Sequence, residues 1–146
     1  MNDMETIARE MWKFVRNAGE SIGRANEWRD QVVQELIVAS SNGSLGKLIS
    51  GVQKDGANLV AIKILGNPVN VLFQVTFQGD EMPVRISFFD GGVKENSKPF
   101  YVARALHYMV GDLRGVFDAK GLDVSLQYVL GFAVQEYVRT YLSWEA

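Results

Sequence analysis

The sequence predicts an α+β fold, with helices and strands in separate blocks, and three observations lead to it. Apolar residues recur every three to four positions through the first forty residues, the spacing of one helical face. Between Leu59 and Phe89 the period falls to two, the signature of strands with one apolar face. After Pro99 the three-to-four spacing returns. Segregated blocks of this kind point to α+β rather than to a parallel α/β sheet. The expected order is ααβββαα: a three-stranded antiparallel meander flanked by N-terminal helices and a C-terminal helical hairpin. A chain of 146 residues fits a single domain, 1–146.

The helical block 1–40 carries Met4, Ile7, Met11, Phe14 or Val15, Ala18, Ile22, Ala25, Trp28, Val32, Leu36 and Ala39 in phase. Asn2 or Asp3 can cap its start. Gly19 and Gly23 interrupt it, each costing about 1 kcal/mol relative to Ala in a helix. Two readings follow: a hairpin broken near Gly19–Asn26, or one helix from Asp3 to Ser40. An unbroken helix would be about 57 Å long at 1.5 Å per residue, against about 30 Å for a small domain. Because the stripe continues in phase through both glycines, we expect the long helix. Its projecting apolar face then needs a partner. Met11, Trp12, Val15, Gly19, Ile22 and Trp28 are the expected interface residues, and a homodimer is the expected assembly.

Ser40-Ser41-Asn42-Gly43 reads as a helix stop. A short helix is expected over 44–54, with Leu45, Leu48, Ile49 and Val52 at helical spacing. Gly43-Ser44-Leu45-Gly46-Lys47 resembles part of a phosphate-binding loop, but Leu48 stands where Ser or Thr would bind magnesium. The same residues have the G-x-x-G spacing of KH loops, without the strand that should precede them. A capped helix-turn-helix accounts for these glycines, and no family is identified. The sheet block 57–90 follows. Leu59–Leu65 is rich in β-branched residues, Val69–Phe77 alternates strictly, and Val84–Phe89 alternates again. Gly66-Asn67-Pro68 and Gly79-Asp80-Glu81-Met82-Pro83 supply the turns. In the last block, 99–144, one helix is expected from Pro99 to Phe117. A second should start at Asp123, with Lys120-Gly121 between them.

Charge and composition exclude several classes. Fifteen basic and 17 acidic residues are interspersed, giving a net charge of −2, without the basic surplus or stripe of most nucleic-acid binders. With no Cys, thiol catalysis, disulfides and cysteine-ligated metals are ruled out. No bound metal or other cofactor is expected. The first twenty residues carry Glu5, Arg9, Glu10, Lys13 and Arg16 and show no secretory signal, and no apolar run is long enough for a membrane span. A cytoplasmic setting is expected. His107 is the one histidine, and no nucleophile or base is spaced to join it in catalysis.

The expected function is therefore a non-enzymatic protein-binding domain, of adaptor or inhibitor type, that self-associates through its N-terminal helices. The alternative is binding of a small anion or nucleotide at the loop Gly91–Tyr101. There Lys94 and Lys98 adjoin an expected helix N-terminus, with Arg85 and Arg104 nearby to add charge. Expected partners are a second copy and another protein, or in the alternative a small anion.

Overall fold

The computed structural model describes residues 3–41, 45–76, 83–94, 96–107 and 113–142; the side chains of 13–21, 107, 113 and 114 lie outside that description. Helix α1 runs unbroken over Asp3–Ser40, and α2 is a single turn, Leu45–Leu48. Seven strands follow: β1 Ile49–Lys54, β2 Leu59–Ile64, β3 Asn67–Val75, β4 Val84–Asp90, β5 Tyr101–His107, β6 Leu113–Phe117 and β7 Asp123–Val124. Helix α3, Leu126–Tyr141, ends the described chain. Each strand pairs antiparallel with the next, so the sheet is one meander in sequence order, β1 to β7.

This corrects the expected three-stranded sheet. β2, β3 and β4 lie where the alternation placed them, but four further strands extend the sheet. The expected helix over 44–54 is one helical turn leading into β1. The expected first helix of the hairpin, from Pro99 to Phe117, contains β5 and β6 instead. Asp123 is in β7 rather than at a helix cap, and Ser125 occupies the N-cap of α3. The Gly43-Ser44 half of the G-x-x-G and the turn 79–82 lie outside the described residues.

The register explains why so long a meander holds together. Val60, Val71, Phe88 and Tyr101 are successive cross-strand partners, as are Phe73, Ile86 and Ala103, and then Val84, Ala105, Val116 and Val124. All face one side, and nearly all are buried. Each fully buried large side chain contributes about 1.5–3 kcal/mol relative to exposure. α1 packs on β1, β3 and β4, and α3 packs on β5 and on α1. From α1 the cover comes from Ala25, Trp28, Val32, Val33 and Leu36, all in its second half. From α3 it comes from Leu126, Val129, Leu130, Ala133, Val134 and Tyr137.

One turn departs from expectation in detail. β2 and β3 pair Ile64 with Asn67, so the connection is the two residues Leu65 and Gly66, at φ 51° and 83°. Two consecutive positive φ values are those of a type I′ hairpin, whose twist suits antiparallel strands. Gly66 adopts its value freely, whereas Leu65 is strained there.

Candidate functional site

α1 divides into two halves with opposite fates. From Ala25 onward its apolar stripe is covered by the sheet and α3. From Asp3 to Trp12, every residue except half-buried Thr6 is exposed, and so are Ile22, Gly23 and Arg24. Ile7 is 61% exposed, Met11 57%, Trp12 66% and Ile22 46%. At about 100° per residue, Ile7, Met11 and Ile22 fall within about 40° of buried Leu36 on the helical wheel. The face that builds the core in the second half is therefore exposed at Ile7, Met11 and Ile22. A Cβ added at Gly23 would meet nothing within 4 Å, so no packing within the subunit requires a glycine there.

The expected interface residues separate on this basis. Met11, Trp12 and Ile22 are exposed, while the side chains of Val15 and Gly19 lie outside the described residues. Trp28, only 4% exposed, belongs to the core: its indole Nε1 donates to the Ala105 carbonyl in β5 at 3.4 Å. It anchors α1 to the sheet and is not available to a second molecule. Ile7 completes the exposed stripe. Its heptad-like spacing from Met11 was visible in the sequence, but only the burial boundary at Ala25 marks it as surface.

The four expected ligand residues also separate. Lys94 and Lys98 are exposed in the connection between β4 and β5, with Glu95 outside the described residues. No helix begins after that connection, because Tyr101 opens β5, so the helix N-terminus invoked for anion binding does not exist there. Phe100 instead holds the segment in place. Its ring meets Phe88 of β4 and Tyr137 and Tyr141 of α3, at centroid separations of 5.4 to 6.2 Å. Arg85 and Arg104 are directly opposed across β4 and β5. That places them together on the sheet face away from the helices, Arg85 six residues before Gly91 and Arg104 three residues after Tyr101.

A hollow of about 410 Å³ opens between α3 and the β6–β7 turn, lined by Phe100, Tyr101, Asp118, Lys120, Phe132 and Arg139 among others. Asp118, Glu136 and Arg139 are engaged within the subunit. Asp118 is buried, and its Oδ1 accepts the amides of Lys120 and Leu122, each at 3.0 Å, which shapes the turn. Arg139 pairs with Glu136 at 3.2 Å. The Tyr101 hydroxyl is buried and, among the described residues, has no hydrogen-bond partner of good geometry. Burial pushes its pKa well above the usual tyrosine value, and the Asp118 charge adds to the rise. Tyr137 is raised too, first by burial and then by Asp90, whose Oδ1 accepts its hydroxyl at 3.4 Å.

His107 stands opposite Leu113 in the β5–β6 pair. Among the described residues, no group of three or more His, Asp or Glu side chains converges to hold a metal. No described helix is long and apolar enough to cross a membrane. Comparison extends no further: no family model, curated protein or solved structure matches this chain. The exposed part of α1 and the Arg85–Arg104 end of the sheet face away from the helices are thus the two surfaces taken up below.

Proposed function

We propose that this chain is a non-enzymatic protein-binding domain, of adaptor or inhibitor type, that works in the cytoplasm and self-associates through the first half of α1. The observation that carries the reading is the exposed stripe of Ile7, Met11, Trp12 and Ile22 on a helix whose core-facing residues Ala25, Trp28, Val32, Val33 and Leu36 are buried. Most of a helix's stability in a protein comes from packing its apolar face rather than from propensity, and Gly19 and Gly23 lower the propensity of this segment further. Packing is what usually stabilises such a segment, and among the residues whose side chains are described the subunit's own body buries those from Ala25 on. A second copy brings an identical stripe, so one isologous contact covers both. Helical arithmetic supports this, since positions 11, 12, 15, 19 and 22 fall within an arc of about 100°, the width of an ordinary packing face. Gly23, which the subunit does not need to be small, suits a close approach by another backbone. The absence of cysteine suits a reducing compartment.

Light scattering coupled to size exclusion tests the reading at micromolar concentration. The expected mass is a multiple of 16.3 kDa. Ile7→Glu with Met11→Glu should return the protein to the monomer while leaving the melting of the body in place. A monomeric wild type, or an assembly indifferent to the two glutamates, would rule the proposal out.

A further inference from the structure

The face of the sheet turned away from the helices carries a row that neither the core nor α1 accounts for. Gln74, Arg85, Arg104 and Phe117 are successive cross-strand partners from β3 to β6. Two like charges placed directly opposite each other destabilise a sheet. Such pairs are normally relieved by a nearby carboxylate, yet among the described residues neither arginine makes an ion pair or a side-chain hydrogen bond. Arg85 is half-buried and Arg104 exposed. Beside Arg104 lies a hollow of about 470 Å³ lined by Val102, Leu106 and Phe117 and closed by the β6–β7 turn. That volume suits a small molecule rather than a polymer.

We propose that Arg85 and Arg104 form a binding site for a small phosphate monoester whose flat apolar group rests against Phe117. The charge selects the ligand class. Two guanidinium groups match a phosphate monoester, which carries about −1.5 to −2 at pH 7, better than a single carboxylate. Neighbouring strands are about 4.8 Å apart, so Phe117 stands about 7 Å from the midpoint of the arginine pair. A phosphate on a short linkage to one ring spans that separation. Among the described residues, the acidic neighbours do not fill the site. Asp118 borders the hollow, but its Oδ1 is held by the amides of Lys120 and Leu122. Asp123 lies one strand beyond Phe117. Gln74, on the other side of Arg85, can donate an amide hydrogen to the ester oxygens. This site is independent of the α1 surface and of the Gly91–Tyr101 loop.

Calorimetry and thermal melting of the full chain test it, with phenyl phosphate, inorganic phosphate and phenol as probes at millimolar concentration. Phenyl phosphate should raise the melting temperature, inorganic phosphate should do so less, and phenol should have no effect. Arg85→Gln or Arg104→Gln should weaken phenyl phosphate by about tenfold or more, the usual consequence of losing charged hydrogen bonds. Without ligand, each variant should melt at or above wild type, because the opposed charges are relieved; this also shows that the variants fold. Binding that persists in the double Gln variant, or no response to phenyl phosphate, would overturn the site. Equal binding of phenyl phosphate and inorganic phosphate would remove Phe117 from it.

Discussion

Two tryptophans on one helix should respond to the same substitution in opposite ways. Trp28 is 4% exposed and Trp12 66%. A buried Trp removes about 150–250 Å² from water. At about 25 cal/mol per Å², that is about 4–6 kcal/mol, an upper value because unfolded chains already bury some surface. Measured Trp→Ala losses in cores, about 3–5 kcal/mol, agree. The indole hydrogen bond to Ala105 is long at 3.4 Å and adds little. Trp28→Ala should therefore destabilise the body by about 3–5 kcal/mol, and Trp28→Phe by less, since the phenyl ring refills most of the space. Trp12→Ala should change the body's stability by about 0.5 kcal/mol or less, as exposed substitutions do. Its effect should fall on the concentration dependence of assembly. Urea unfolding followed by circular dichroism, repeated over a dilution series, separates the two. Equal losses in the two variants, or a loss below about 1 kcal/mol for Trp28→Ala, would refute the division of α1 into a core-packed stretch around Trp28 and an exposed stretch around Trp12.

Further outcomes follow from other sites. Tyr101→Phe removes a buried hydroxyl without a hydrogen-bond partner of good geometry among the described residues and should be neutral or stabilising by about 1 kcal/mol. Because the folded-state pKa of Tyr101 is raised above its ordinary 10.0, the unfolded chain gives up that proton first. Stability should thus be intact below about pH 10 and fall as pH rises through the alkaline range. Melting curves at stepped pH should show a shallower alkaline decline in Tyr101→Phe, and an unchanged decline would count against the burial of this group. Leu65→Asn should raise stability by about 0.5–1 kcal/mol, because Asn tolerates the left-handed conformation of the I′ turn; a drop in melting temperature would mean the turn differs. Gly23→Ala should stabilise an isolated helix by about 1 kcal/mol, yet weaken self-association if another backbone approaches there. An analytical dilution series distinguishes these, and stronger association in the Ala variant would remove Gly23 from the contact.

The parts of the fold legible in the sequence are those where a single periodicity applied. Strict alternation in Val69, Val71, Phe73 and Val75 permitted only a strand, and Leu126 through Tyr137 permitted only a helix. The segment Tyr101–His107 satisfied both patterns. Its inward residues are Tyr101, Ala103 and Ala105, and its outward residues Val102 and Leu106 are apolar as well, so alternation is hidden. Alanine favours a helix by intrinsic preference, and only pairing with β4 makes this segment a strand. Ile49–Lys54 was obscured by the spacing of Leu45, Leu48, Ile49 and Val52. It was obscured further by Gly51, which sits at φ 59° within the register shift of β1. The apolar stripe of α1 was readable, but not where it enters the core, because nothing local distinguishes Ile22 from Val32. Arg85 and Arg104 were each visible as cations. Their apposition required the β4–β5 register, which the expected helix had removed.

The absence of native cysteine makes the central claim directly measurable. Glu10→Cys, on the exposed half of α1, accepts a single nitroxide label, and dipolar spectroscopy then reports only distances between molecules. Self-association through this half predicts a defined inter-label distance at Glu10, and a longer or absent one for a control label at Lys54→Cys in β1. A Glu10 label that shows no dipolar partner at micromolar protein would contradict the account.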